Sequence, residues 1–309
     1  MATLAVVIPA TNGPRTLDAC LAAVRAADDP PDELIVVADP SAASPAAARN
    51  LGVSRSTAEI VAFVDADVTV KRDAFARIRA AFDADEELVA VFGSYDDDPP
   101  AGDPVSGFRN LLHHHVHHGA GGRVGTFWAG LGAVRRNAFD AAGGFVEHPI
   151  EDIELGMRLN ASGAKIELDP AIQGAHLKRW SLLSMVRTDL LVRGAPWVGL
   201  LLLHRPASMG LNLGWRHRLS ALASVALIGL LVVAPLFALV ALAALVALNV
   251  SFYRLLLRRR GVLHTLAGIA LHVVHHLVSV AAVVLGIVLY WRRRPRAPET
   301  GVPVGSQGA

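Results

Sequence analysis

Two aspartates one residue apart, Asp65 and Asp67, end the apolar run Ile60-Val-Ala-Phe-Val64. If the strand continues through them, both carboxylates point the same way and can hold one divalent cation. A hard cation such as Mg2+ or Mn2+ takes oxygen ligands from few carboxylates and completes its shell with phosphate oxygens. A second acidic group, Glu151, Asp152 and Glu154, falls in the first turn of an expected helix opening at Pro149. The positive end of the helix dipole favours acids there, so these residues alone are equally ordinary first-turn acids. A third group, His113-His114-His115-Val116-His117-His118, lies on an expected helix. His114 and His118 are then one turn apart and could bind zinc, with no third ligand evident. His272, His275 and His276 interrupt an apolar run, where polar groups are costly and often functional. Cys20, the one cysteine, excludes an internal disulfide and reads as a small helix-face residue.

The elements that must position these groups alternate. Strand-like runs recur at 4–8, 34–37, 60–64 and 88–92, with helix-compatible stretches at 17–27, 46–54 and 72–82 between them. This α/β pattern predicts a mostly parallel sheet with helices on both faces. Ligands of such sheets sit beyond the carboxyl ends of the strands. Thr11-Asn12, Asp39 and Asp65-Ala66-Asp67 each follow a strand, as that rule requires.

Several of these segments resemble the family 2 glycosyltransferases, in order and spacing. Val6-Val-Ile-Pro9-Ala-Thr11-Asn12 looks like their opening strand and turn, and Glu33-Leu-Ile-Val-Val-Ala-Asp39 like the second strand with its base-contacting aspartate. Pro45-Ala-Ala-Ala-Arg49-Asn50-Leu-Gly52 is similar to the helix before the metal motif, and 58–67 to the strand that carries it. The second-strand turn departs from the pattern, because Asp39-Pro40-Ser41 has one acid where the family usually has more. The resemblance covers roughly residues 3 to 200 and implies a GT-A nucleotide-sugar-binding fold. It implies an inverting glycosyltransferase that takes a UDP- or GDP-sugar, with a divalent cation (Mg2+ or Mn2+) as cofactor. The donor would be bound by Pro9, Thr11, Asp39, Asp65 and Trp128, the last stacking on a sugar face. The family's Glu-Asp motif falls on Glu151-Asp152 and makes Asp152 the base. His176-Leu-Lys-Arg179-Trp180 resembles the Q-x-x-R-W motif of membrane-embedded polysaccharide synthases, with His for Gln. In that likeness Arg179 meets the diphosphate, Trp180 platforms the acceptor, and His176 joins Asp65 and Asp67 as a metal ligand. The histidines at 113–118 then read as a polar wall of the acceptor cleft. The alternative is a catalytically inactive domain that binds nucleotide sugars or assists membrane assembly.

The last third differs in kind. Up to Asp189 there are 17 Lys and Arg against 26 Asp and Glu; beyond it there are 12 Arg against one acid, Glu299. Mean hydropathy is +0.42 and only 18% of residues are charged, which argues against a disordered or fully soluble chain. Residues 219–253 and 261–291 hold no Asp, Glu, Lys or Arg, and the second run ends in Tyr290-Trp291 followed by arginines, a membrane-interface pattern. Pro235 divides the first run into a short helical hairpin or one kinked helix. Charge counts do not choose between two and three spans, and length favours three. Apolar residues at helical spacing over 180–197 (Leu183, Val186, Leu190) suggest an interfacial helix. The amino terminus does not read as a signal peptide. The expected organisation is a GT-A catalytic domain at 1–180, an interfacial segment at 181–215, a transmembrane region at 216–294 and a flexible tail at 295–309. The expected site of action is the cytoplasmic face of the plasma membrane, in a multi-pass protein. Its partners would be the nucleotide sugar, a lipid-linked or glycan acceptor and the bilayer, with no nucleic acid.

Overall fold

The computed structural model describes residues 2–39, 41–204 and 214–293. Pro40, the expected tail at 295–309 and part of the expected interfacial segment lie outside the described residues. Eight strands form one sheet: β1 (Leu4–Pro9), β2 (Glu33–Val37), β3 (Ile60–Val64), β4 (Val68–Val70), β5 (Leu88–Tyr95), β6 (Gly122–Arg123), β7 (Leu131–Arg135) and β8 (Lys165–His176). Their order is β2-β1-β3-β7-β5-β8-β4, with β6 against β8. β1, β2, β3, β5 and β8 share one direction, and β7, β4 and β6 oppose it. This is the expected α/β sheet, mostly parallel, with β7 inserted antiparallel beside β3.

The helices of this part are α1 (Leu17–Arg25), α2 (Pro45–Ser54), α3 (Ala74–Ala84), α4 (Pro104–His118), α5 (Arg136–Ala141) and α6 (Glu151–Ala161). Side chains alternate across each strand, so the apolar runs split between two cores. Val6, Ile8, Ala62 and Val64 pack with Cys20, Val24, Phe75 and Ile78 of α1 and α3. Val7, Val61 and Phe63 pack with Ala48, Val53 and Leu155 of α2 and α6. Burial on both faces is why these strands read as unbroken apolar runs. Ser44 caps α2 by accepting from the Ala47 N–H, and Asp103 caps α4 by accepting from the Ser106 N–H. Each cap is followed by proline, whose fixed φ suits the first helical position.

Beyond β8, α7 (Leu182–Arg187) runs through a π-helical stretch, Thr188–Gly194, into α8 (Ala195–His204). One face of α8, Trp197, Leu200 and Leu201, packs on Ile150, Ile153 and Met157 at α6, while Leu183, Leu191 and Val192 stay exposed. The expected interfacial segment therefore both docks on the sheet part and keeps an uncovered apolar face. α9 (Trp215–Val233) and α10 (Pro235–Leu248) form the helical hairpin that Pro235 allowed. It is antiparallel: Asn249 Nδ2 donates to Ser220 Oγ (2.8 Å), and Arg216 donates to the Leu248 carbonyl (2.7 Å). α11 (Val250–Arg293) breaks at Gly261, whose φ of 80° only glycine adopts freely, into helices at 250–260 and 262–293. Phe252, Tyr253 and Leu256 fix the first piece on Phe108, Leu111 and Leu112 of α4. Two helices, Trp215–Val233 and Val250–Arg292, are long and apolar enough to cross a membrane. The fourteen residues of α10 reach about 21 Å, short of a hydrocarbon core of about 30 Å, so length does not supply the third span.

Candidate active site

Strand register brings the sequence-predicted residues to one edge. β1 and β3 pair with Val7 opposite Phe63, which sets Pro9 level with Asp65. β1 and β2 pair with Pro9 opposite Val37, which sets Thr11 level with Asp39. Asp39 accepts from the Ser41 N–H (2.9 Å) and hydroxyl (2.7 Å), and these bonds hold its carboxyl below the ordinary value. On the other flank Val64 pairs with Leu131 of β7, and the Asp65 N–H donates to the Gly130 carbonyl. The next amide, Ala129 N–H, donates to Asp152 Oδ2 at 3.2 Å, so the candidate base is tied to the strand beside the aspartate pair.

Two glycines make that approach possible. A Cβ on Gly156, one turn after Asp152, would lie 2.1 Å from the Phe127 nitrogen, so α6 packs directly on the backbone that leads into Trp128. A Cβ on Gly130 would lie 2.4 Å from the Trp128 ring, which folds back over that position. Trp128 is half-buried against Tyr95, His113 and His117, with part of its ring open.

Asp65 and Asp67 face different surroundings. Arg49, 5% exposed on α2, donates to Asp65 Oδ1 (2.7 Å) and to Glu151. One buried guanidinium thus links the metal motif to the Glu-Asp motif. Burial raises the carboxyls of both Asp65 and Glu151 against the pull of Arg49. Asp67 instead meets His176, whose Nε2 lies 3.4 Å from Oδ2 because Val68 of β4 pairs with His176 of β8. Burial alone would raise Asp67, but His176 and the nearby Lys178 outweigh it and hold the carboxyl below its ordinary value. The His176 ring stacks on Tyr95 (4.3 Å), and its Nδ1 bonds Asn110 Oδ1 (2.8 Å). Nε2 is therefore the nitrogen that faces Asp67, and its lone pair is the one a cation would use. Asp67 and His176 fit a divalent cation as a partial shell completed by phosphate oxygens. Among the described residues no three His, Cys, Asp or Glu side chains form a closed metal cage.

The segment after β8 carries the cations. Arg179 is exposed and makes no ion pair among the described residues. Lys178 lies over Trp180 (4.2 Å), and burial lowers its amine. Trp180 is 6% exposed, with Lys178 and the Arg109 guanidinium (5.1 Å) over its ring. Its N–H backbone donates to Ser106 Oγ (2.7 Å), so it anchors the cationic turn to α4. Arg109 in turn pairs with Asp189 (3.0 Å).

The histidine cluster divides by helix face. His114 and His117 direct Nδ1 to the carbonyls of Tyr95 and Gly93, and His118 stacks on His114 while bonding its carbonyl. Burial pushes His113 well below its ordinary value and His117 down to about 4, so this face is neutral at physiological pH. Cys20 is buried, and burial next to Asp65 and Asp67 pushes its thiol up to about 12, which leaves it unreactive. Arg49, Asn110 and Tyr95 belong to the site although only Arg49 stood in a motif. Its signal was a lone arginine in an alanine-rich helix; Asn110 and Tyr95 had no signal, since only the sheet brings them to His176.

Residues 42–143 match the model of the family described as Glycosyl transferase family 2. The pre-mycofactocin glycosyltransferases of two Mycobacterium tuberculosis strains, CDC 1551 / Oshkosh and ATCC 25618 / H37Rv, are each 27% identical over 88% of this chain. The chain spans 64% of the length of these curated relatives. The mannosyltransferase PcManGT from Pyrobaculum calidifontis, solved with GDP-Man and Mn2+, superposes with a TM-score of 0.53 at 17% identity. That likeness covers 95% of this chain and 88% of PcManGT. The family 2 resemblance and the GT-A fold are both borne out.

Proposed function

We propose that this chain is a membrane-anchored inverting glycosyltransferase that moves a sugar from a nucleotide diphosphate donor to an acceptor hydroxyl. The observation that carries the reading is the meeting of Asp65, Asp67 and Asp152 at one strand edge, bridged by Arg49 and Glu151. The nucleoside lies along Pro9, Thr11 and Asp39, and the donor sugar reaches the open part of Trp128. Asp67 and His176, together with Asp65, would hold Mg2+ or Mn2+. The bound cation supplies positive charge that stabilises the departing diphosphate. Arg179 and Lys178 add charge on the same side, where the leaving group becomes more anionic. Trp180 acts by positioning that turn, since its ring is buried. Asp152 takes the proton from the acceptor hydroxyl as the oxygen attacks the anomeric carbon from the opposite side. The Ala129 amide holds one carboxylate oxygen and the Ile153 amide (2.8 Å) the other, which sets the direction of the lone pairs.

The acceptor is presented at the bilayer, and the cytoplasmic face of the plasma membrane suits the catalytic part. Support comes from the uncovered hairpin tip: Val232, Val233 and Leu236 are 83%, 77% and 80% exposed, with Arg216 and Arg218 at its base. This placement supports a lipid-linked acceptor; the pre-mycofactocin of the relatives' name is the competing choice.

The test is donor binding and hydrolysis by the detergent-solubilised chain across UDP- and GDP-sugars, with manganese, magnesium or chelator. We expect one donor to be bound with metal and lost in Asp67→Ala. Asp152→Asn should keep donor binding and lower transfer by about 10²–10⁴-fold. No donor bound by folded protein would favour the inactive assembly partner, and full transfer by Asp152→Asn would remove that residue as the base.

A further inference from the structure

A well-defined cavity lies away from the aspartate edge. It has a volume of about 490 Å³ and lies between the end of α4, the loop into Gly125 and the root of the α9–α10 hairpin. That volume suits a small ligand. Its polar lining is cationic or neutral: Arg123, Arg216, His217, His275 and His276 are there, and no aspartate or glutamate lines it. Phe252 and neighbouring aliphatic side chains supply an apolar wall.

His276 is the second, independent sign. It is 1% exposed, and neither ring nitrogen has a hydrogen-bond partner among the described residues. A buried polar group left unpaired keeps its full desolvation cost, so it calls for a ligand or a partner. Its neighbours do not serve. His275 Nδ1 is engaged by Asp189 (3.0 Å), His272 Nδ1 bonds the Tyr253 hydroxyl (2.9 Å), and His217 meets His276 edge to face at 4.9 Å. No three-ligand metal group exists here among the described residues. Arg216 spends Nε and Nη2 on the Leu248 carbonyl, and Arg123 is exposed and makes no ion pair among the described residues.

We infer that this cavity binds a phosphate-bearing ligand, held by Arg123, Arg216, His217 and His276 at the root of the hairpin. A phosphate fits because its several oxygens accept from groups converging from different elements, as guanidinium and imidazole donors do here. A carboxylate in the lining would repel it; among the described residues none lines the cavity, and the nearby Asp189 is paired with Arg109 and His275. The apolar wall accommodates an alkyl chain, so the phosphate comes either from a lipid headgroup or free from solution. The site lies apart from the donor edge, and the inference does not depend on sugar transfer.

The experiment is equilibrium binding to the full chain in a non-ionic detergent, with decyl phosphate as probe, decanol as uncharged control and inorganic phosphate as competitor. Decyl phosphate should saturate one site and decanol should not. His276→Phe and Arg123→Gln should each weaken binding at least about tenfold while metal-dependent donor binding persists. Arg123 lies on an exposed strand, so its variant keeps the test decisive if His276→Phe fails to fold. Competition by inorganic phosphate would assign the site to free phosphate, and its failure to compete would assign it to a lipid headgroup. Non-saturable binding, or binding unchanged in both variants, would overturn the inference. Loss of donor binding in the wild-type chain would sink the transferase reading and leave this one standing.

Discussion

The sheet domain and the C-terminal helices differ in where they leave apolar residues exposed. Around the sheet, Val7, Phe63 and Val64 are fully buried and the carboxylates of the candidate site gather at the rim. In the helical region Ser220, Ser224, His272 and His276 are buried, while Val232, Leu236 and Phe237 are exposed. Water drives the first arrangement, because apolar area leaves it at about 25 cal/mol per Å². Lipid offers no such gain between helices, so polar contacts and close packing hold the second. The difference is the one that the proposed membrane anchoring requires of the hairpin's exposed apolar surface.

The strongest way to break this contrast is one substitution made on both sides. Val64→Arg places an unpaired charge in the sheet core, and we expect at least about 4 kcal/mol of destabilisation, seen as loss of the folded domain by circular dichroism. Val232→Arg at the hairpin tip should leave the folded chain in detergent unchanged. It should weaken retention on vesicles by about 2.5–3.5 kcal/mol in a flotation assay. Equal damage to folding by both would refute the two-solvent view.

A smaller effect is expected where the two regions join. Asp189 pairs with Arg109 of α4 and His275 of α11, with Arg193 of its own segment nearby. Burial alone would raise its carboxyl, but the His275 hydrogen bond and Arg109 outweigh it and hold it below the ordinary value. A depressed folded value means that the stabilisation is present above the unfolded carboxylate value of about 3.9 and lost as pH falls through the lower folded one. Asp189→Asn should therefore cost about 3 kcal/mol near neutrality, with the gap to wild type closing in acid. Unfolding midpoints measured across pH check this, and a gap that widened on acidification would exclude the pairing as its source.

The smallest effect sharpens the helical side. Ser220→Ala removes the acceptor of the Asn249 hydrogen bond at the hairpin root. Polar contacts between membrane helices average about 0.6 kcal/mol, so unfolding from mixed micelles should shift by roughly that amount. A loss several times larger would show that the hairpin depends on this bond more than on packing.

Much of the candidate site was legible along the chain because strand ends are local features. Asp65-Ala66-Asp67, Asp39 and Thr11 each follow an apolar run, and the sheet then sets those ends side by side. Asp152 was legible by its motif and first-turn position. The roles of Arg49 and Trp180 were not. The buried bridge from Arg49 spans 16 residues to Asp65 and 102 to Glu151, a pairing that only the docking of α2 and α6 creates. Trp180 looked like an open platform, and the packing of α4 and α11 closes over its ring.

Periodicity, apolar runs and charge asymmetry thus determined the α/β sheet, its ligand edge and the apolar character of the last third. Those properties depend on neighbours a few residues apart, within reach of strand alternation and helix repeat. Tertiary structure decided which cation meets which carboxylate, how far the hairpin reaches, and that His217, His275 and His276 share a cavity with Arg123. Such contacts join residues far apart in the chain, and burial, which sets their energies, exists only once the elements have packed.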